Sequence, residues 1–435
     1  MAKGKAFGRF EAALGVVGLL ALGAAYAMVT GWNPLPALQD WLVHSRLMSE
    51  PEPTWAVTVA DQPASAVVAG GVVVVAMGNR VDGYLLADGA QQWTREVAWS
   101  AVAGLGAGSV VVAGKPERRG YEALDPATGQ VEWSDPTAIG AWTFTNLVIG
   151  LACGQDFSCV LTARSPASGT VRWTATVSGN GRPLSGANRP LAGIRAMGPA
   201  SPVPQPVPPA LGFPLDDEIQ VIGTGDGSRL HRYRSNAAGR VTMAGGRAVV
   251  TSGTFRDDTC RLHVEGRDPG SDRSVWRRDG YNLHTSAGLG CDQRTSPRGG
   301  GGLIAAVSAD DRDVLLDPAT GAEVYRAGPG QQIIDTNGHL VLVRGTDGQS
   351  IVAIKLAGGG TAWARTANRS VKVAFGPSVV VVTDPDAQRL TVLSDGGTVL
   401  ATVSTDATVL GYADSGLLVN GGRQVGLLSY GGAGR

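Results

Sequence analysis

LDPATGQVEW occupies Leu124–Trp133 and returns almost unchanged as LDPATGAEVY at Leu316–Tyr325. Its physical content is a turn. Asp125 can accept hydrogen bonds from N–H groups two or three residues on, and Pro126 pre-sets φ for the first corner position. Gly129 supplies the positive φ that closes the corner into the next strand. Tyr121 and Ala123 before the turn, and Val131 and Trp133 after it, alternate with other residues at the period of a half-buried strand. The phrase therefore predicts a β-hairpin corner. Asp317, Gly321 and Tyr325 take the places of Asp125, Gly129 and Trp133 in the second copy.

Weaker copies recur along the chain and end at Trp93, Trp173, Tyr233, Trp276, Trp363 and Leu400. With Trp133 and Tyr325 they make eight anchors, at steps of 40, 40, 60, 43, 49, 38 and 37 residues. A β-rich unit of roughly 40 residues has the length of one four-stranded propeller blade. A second apolar run precedes most anchors, as in GVVVVAMG at Gly71–Gly78 and SVVVVTD at Ser378–Asp384. Such a unit cannot bury its own faces, and stacked neighbours must do so. The fold class expected is all-β, one propeller of about eight four-stranded blades, within a range of seven to nine. Trp55–Val59 reads as the last strand of a blade whose beginning is missing. GLLVNGG and QVGLLSY near the other terminus could supply that beginning and close the ring without an open sheet edge. The tryptophans at the shared repeat position, Trp93, Trp133, Trp173, Trp276 and Trp363, are expected to pack the core rather than to stack a ligand.

Composition narrows the partners. Glycine is abundant, at 63 of 435 residues, as a turn-dense β protein requires. Lys plus Arg and Asp plus Glu number 37 each, so formal net charge is zero. A nucleic-acid partner, which needs a basic surface, is not expected.

The first residues point to a membrane. Lys3, Lys5 and Arg9 precede an uncharged apolar run from Ala12 to Val29. As a helix this run would be about 27 Å long, close to a bilayer core. The expected organisation is a short cytoplasmic tail over 1–11 and a signal-anchor transmembrane helix over 12–30. A juxtamembrane linker or amphipathic helix over 31–53 and an extracytoplasmic propeller over 54–431 follow. The alternative is secretion after cleavage following Ala27, since Ala25-Tyr26-Ala27 fits a small-residue cleavage site. Both readings export the propeller. An inside tail of eleven residues could hold no signalling module.

Four cysteines, Cys153, Cys159, Cys260 and Cys291, suit two disulfides in an exported chain. Cys153 and Cys159 bracket a hairpin-sized loop and can bridge it, which leaves Cys260 to pair with Cys291 from an adjacent blade. No metal is expected, because CxxC and HxxxH spacings are absent and the five histidines are scattered. The acidic groups Asp310, Asp311, Asp313 and Asp216, Asp217, Glu218 lack the spacing of a calcium loop and read as solvated turns. No P-loop, GxSxG or HExxH is present. The 60-residue step holds a proline-rich insertion over 198–214, with seven prolines. It reads as an extended surface loop or as a protruding arm that binds a partner.

Leu124, Asp125, Thr128, Gly129 and Trp133 match L-D-x-x-T-G-x-x-x-W, the repeat of the pyrroloquinoline-quinone (PQQ)-like β-propellers. Leu316, Asp317, Thr320 and Gly321 match it with Tyr325 in the tryptophan place. Looser copies end at Trp93 and Trp173. The chain resembles that family over roughly 54–430, and in particular its cofactor-free branch, which includes outer-membrane assembly factor B. The dehydrogenase branch would imply an adjacent-cysteine disulfide beside a calcium-held quinone, and neither pattern is found here, so no cofactor is expected. The lipid-attachment cysteine of the assembly factor is also missing, as the first cysteine is Cys153. The resemblance transfers the fold and the structural tryptophan. The function expected is a non-enzymatic, membrane-anchored scaffold whose partners are envelope proteins or a cell-surface polymer. The alternatives are a quinone- and calcium-dependent oxidoreductase and a propeller enzyme acting on cell-surface polymers.

Overall fold

The computed structural model describes residues 52–430 except 117–118, 156–157, 180–183, 199–201, 217 and 235–238. The tail over 1–11, the proposed span over 12–30 and nearly all of the 31–53 linker lie outside the described residues. Among those described, no helix is long and apolar enough to cross a membrane.

Nine of the ten sheets among the described residues are antiparallel propeller blades in chain order, two of them with an added parallel strand, and the tenth is a two-stranded hairpin. Blades 1 to 9 cover 65–96, 99–135, 140–178, 210–234, 240–279, 298–326, 332–366, 372–404 and 408–429. Blade 9 takes its outermost strand from the other end of the chain. Trp55–Thr58 pairs with Gln424–Ser429, Trp55 opposite Leu427, which closes the ring and leaves no open edge there. The expectation of eight blades is thus corrected to nine. Each of the eight anchors marks a blade of its own, and the shared blade is a ninth unit without a turn phrase. Blade 4 departs from four strands, with three.

The repeated phrase sets the joint between blades. Asp125 Oδ1 accepts from the Thr128 N–H and hydroxyl at 2.7 and 2.8 Å, and the Gly129 N–H donates to the Asp125 carbonyl. The turn then receives the tryptophan of the preceding blade. Trp93 Nε1 donates to the Pro126 carbonyl at 2.7 Å, three residues before Gly129. Trp55, Trp133, Trp173 and Trp276 donate to the same turn position in the next blade, at the carbonyls of Leu86, Pro166, Thr224 and Pro318. Gly129 has φ +67, and a Cβ placed on it would lie 2.7 Å from the Trp93 ring. Glycine is therefore required twice, for the turn and for the ring lying on it.

In five blades the strand beside the tryptophan makes room, whereas Trp55 stands opposite Leu427. Gly83, Ala123, Ala163, Gly266 and Ala353 stand opposite Trp93, Trp133, Trp173, Trp276 and Trp363. Where the aromatic is Tyr325, the partner grows to Leu315. In blade 4 the joint position is His231, opposite Val221 and 3.8 Å from Asp272 in the turn of blade 5, and not Tyr233. In blade 8 the equivalent residue is Ala401, opposite Val392, and not Leu400. Leu400 is the extra residue of the bulge that precedes the joint position in these blades, so it turns outward.

Two substitutions separate the parts of this joint. Gly129→Ala is expected to lose about 2–4 kcal/mol, from left-handed backbone and the collision with Trp93. Trp93→Phe keeps most of the ring and should lose only about 1 kcal/mol with the hydrogen bond. Urea unfolding of the two variants measures the difference. Equal losses would show that the ring contact does not govern the joint.

Candidate functional site

The innermost strands of a propeller surround its axis, and here the chain itself runs along them. The 60-residue step leaves blade 3 and runs over 184–209. Gly186–Ala187 pairs in parallel with Gly140–Ala141, adding a strand to the inner edge of blade 3. Asn188 Oδ1 accepts from the Thr143 N–H at 2.8 Å, and Trp142 Nε1 donates to the Arg189 carbonyl. The Ala192 N–H donates to Gly212 on the free inner edge of blade 4, and its carbonyl accepts from Met243 of blade 5. Arg195–Ala196 then pairs in parallel with Arg298–Gly299 on the inner edge of blade 6. Gly198 reaches Asp335 in blade 7. Pro202 borders a small cavity with Ser65 and Val67 of blade 1 and Ser100–Val102 of blade 2. The Thr145 N–H donates to the Gln205 carbonyl, and Thr224 receives Pro208–Pro209 as the chain enters blade 4.

The described parts of this segment thus follow the inner edges of blades 3 to 7 as far as Gly198, and Pro202 lies at the inner strands of blades 1 and 2. The expectation of a surface loop or protruding arm over 198–214 is corrected in one respect. Ala210–Leu215 is a strand of blade 4, whereas Gln205, Pro206, Pro208 and Pro209 before it are exposed. The inner edges offer unpaired N–H and C=O groups, and an extended proline-containing segment satisfies some of them without needing partners at every residue.

Asp335 fastens the far end of the segment. Its carboxylate accepts from the backbone N–H groups of Thr336 at 2.9 Å, Phe375 at 3.4 Å and Gly198. Burial holds the carboxyl above its ordinary range, against the pull of those three donors.

The 49-residue step between Trp276 and Tyr325 holds a second insertion, over 281–297, with a short hairpin of Thr285–Ser286 and Gln293–Arg294. Cys291 lies on it and is bonded to Cys260, in the long third strand of blade 5, Thr259–Arg267. The second cysteine therefore comes from an inter-blade insertion and not from an adjacent blade. Cys153 and Cys159 face each other across a hairpin of blade 3 and form the other bridge. Strands Arg247–Arg256 and Thr259–Arg267 are ten and nine residues long, so their hairpin extends past the shorter strands of the other blades. Its end carries Phe255, 49% exposed, against Gly290, and the neighbouring Leu289 is 95% exposed.

Between the crossing segment and this insertion lies a cavity of about 620 Å3. Arg195 and Met197 border it from the segment, Leu283, His284 and Gln293–Ser296 from the insertion, and Arg298, Ala305–Val307 and Asp313 from blade 6. Gln332 and Ile333 of blade 7 complete it. Among the described residues no group of His, Cys, Asp or Glu is arranged to hold a metal ion. Asp310 pairs with Arg312 and Arg326, and the Asp313 carboxylate accepts the Ile333 N–H at 2.8 Å. Asp125, Gly129, Trp133, Asp317, Gly321 and Tyr325 all sit in blade joints, away from this cavity. Asp335, Arg195, Arg298 and Leu289 escaped the reading of the sequence. The two over-long steps were the signal that could have led to them.

A family model described as outer membrane protein assembly factor BamB, of the PQQ repeat type, matches residues 261–418. No curated protein matches the chain. Among solved structures, BamB from Moraxella catarrhalis is similar at 14% identity, over 90% of this chain and 100% of that one, with a TM-score of 0.41. A eukaryotic initiation factor is similar at 12% identity, over 80% and 89%, with a TM-score of 0.48. A quinohemoprotein alcohol dehydrogenase from Pseudomonas putida is similar at 12% identity, over 81% and 74%, with a TM-score of 0.38.

Asp335 gives two expected outcomes. Asp335→Ala removes the acceptor of three N–H groups, so trypsin should cut after Arg189 or Arg195 faster than in the native chain, by mass spectrometry of the digest. In Asp335→Asn the titration is lost. A carboxyl whose pKa is raised on folding binds its proton more tightly in the folded state, so stability rises as pH falls through the folded pKa toward the unfolded value of about 3.9. The native chain should therefore gain stability relative to Asp335→Asn between pH 7 and pH 4, by urea midpoints. A constant difference would show that the carboxylate is not desolvated.

Proposed function

We propose that this chain, a PQQ-like, BamB-like β-propeller, is a non-catalytic protein-binding scaffold, anchored in a membrane through residues 12–30 and carried outside the cytoplasm. The observation that carries this reading is the display of Phe255 and Leu289. An apolar side chain that is 95% exposed gains nothing from its own fold, whereas burial against a partner would return about 25 cal/mol for each Å2 covered. The Cys260–Cys291 bridge and the hydrogen bond from the Gly253 N–H to the Ala287 carbonyl hold that display in place before binding. Preorganisation of this kind lowers the ordering cost of association.

The crossing segment supports a scaffold in a second way. It covers with the protein's own chain part of the inner edges of blades 3 and 6, and it leaves the rims and the insertions as the surface open to partners. Two disulfides suit an oxidising compartment, where such bridges persist. The uncharged run from Ala12 to Val29, with Lys3, Lys5 and Arg9 before it, supports the anchor and its orientation.

A photo-crosslinking amino acid at Leu289, in cells with intact membranes, is expected to give a discrete adduct with one envelope protein. Adding Phe255→Asp should abolish it. The same probe at Leu105, an exposed side chain elsewhere in the ring, should give none. An adduct pattern identical at both positions would overturn the reading, as would alcohol oxidation by the purified chain supplied with quinone and calcium.

A further inference from the structure

Arg195 and Arg298 are direct partners in the parallel pairing between the crossing segment and blade 6. Partners in register put their side chains on the same face, with strands about 4.8 Å apart. Two guanidinium groups so placed repel, which is the arrangement strands ordinarily avoid. Other arginines nearby are neutralised. Arg294 and Arg240 both pair with Asp292, at 2.8 and 2.7 Å. Neither Arg195 nor Arg298 forms an ion pair among the described residues.

Both border the 620 Å3 cavity, a volume suited to a small ligand. Its charged lining is three arginines against the single carboxylate of Asp313, already engaged by the Ile333 N–H. Its apolar lining comes from Leu283, Val307 and Ile333. Gln293, on the same wall, has a buried carboxamide oxygen with no hydrogen-bond partner, so nothing bonded to that atom prevents the amide from turning its N–H toward an anion.

We propose that this cavity is a binding site for an organic carboxylate bearing an apolar group, held between the Arg195 and Arg298 guanidinium groups with the apolar part against Leu283 and Ile333. The anion relieves the repulsion between the two arginines, and each guanidinium offers a fork of donors matched to a carboxylate. The same chemistry is presented by a free aromatic or aliphatic acid and by the carboxyl terminus of a peptide ending in an apolar residue. The site stands apart from the Phe255–Leu289 display, and its failure leaves the scaffold reading untouched.

Titration calorimetry on the full chain in nonionic detergent tests it, with benzoate, a leucine-terminated tetrapeptide and that peptide's C-terminal amide as probes. Saturable binding of benzoate or of the free-acid peptide is expected, weakening as salt is raised, with no binding of the amide. Benzoate alone identifies a small-acid site, and the free peptide alone identifies a site for chain ends. Arg195→Gln and Arg298→Gln should each weaken binding by about tenfold or more, a loss of one charge-assisted pair. Arg294→Gln should change it less than about threefold, since that charge is already paired. In the absence of ligand neither Arg195→Gln nor Arg298→Gln should lower the thermal midpoint, because each removes a repulsion. The proposal fails if no probe binds saturably, if the amide binds as well as the acid, or if both glutamine variants bind with native affinity.

Discussion

The fold depends on an indole ring laid over a glycine. At six joints a tryptophan ring lies on the turn glycine of the next blade, and at five of them the indole N–H ties to a carbonyl three residues before that glycine. The contact is both apolar burial and a satisfied polar group, which is why tryptophan serves better than phenylalanine there. It also fixes the spacing of blades. A Cβ on the glycine would push neighbours apart. Arginines two residues beyond the tryptophan, Arg95, Arg278 and Arg365, add a second tie to the carbonyl of the same turn glycine. The joint is weakest where the aromatic is lost. Blade 8 has Ala401 there, and Trp363 of blade 7 has an indole N–H without a partner.

A joint of this kind is local in sequence, and that made the ring legible. The turn residues, the tryptophans and the closing strand at Trp55 are all visible in runs of ten residues or fewer, because each does its work against a unit of the same pattern. The count went astray where locality ended. Blade 9 draws strands from both chain ends and carries no turn phrase of its own. Blade 4 lacks a fourth strand, so its spacing told of an insertion but not of where the insertion goes.

The cavity was illegible for the same reason. Arg195 and Arg298 are 103 residues apart and meet only because the segment over 184–198 runs along the inner edges of the blades. Asp335 looked like any aspartate in a polar turn. Its importance comes from burial and from three N–H groups, two of which belong to other elements. Proline-rich composition predicts an extended chain, and the segment is extended. The pairings with the inner edges of blades 3 and 6 are made by Gly186–Ala187 and Arg195–Ala196, which precede the proline-rich stretch and carry no compositional mark.

The departures from the repeat are not scattered. The crossing segment, the three-stranded blade 4, the long hairpin of blade 5, the 281–297 insertion and both disulfides fall between blades 3 and 6. Blades 1, 2, 7 and 8 keep short connections. A closed ring explains why variation should gather in connections at all. Changing a joint alters the angle between blades, and nine such angles must sum to one turn, whereas lengthening a connection leaves every joint as it was. Long insertions cost ordering entropy, and the Cys260–Cys291 bridge offsets part of that cost by restricting the unfolded chain. The regular blades thus act as a frame of fixed spacing, and the region between blades 3 and 6 is where the chain spends its freedom on surfaces that the ring itself does not require.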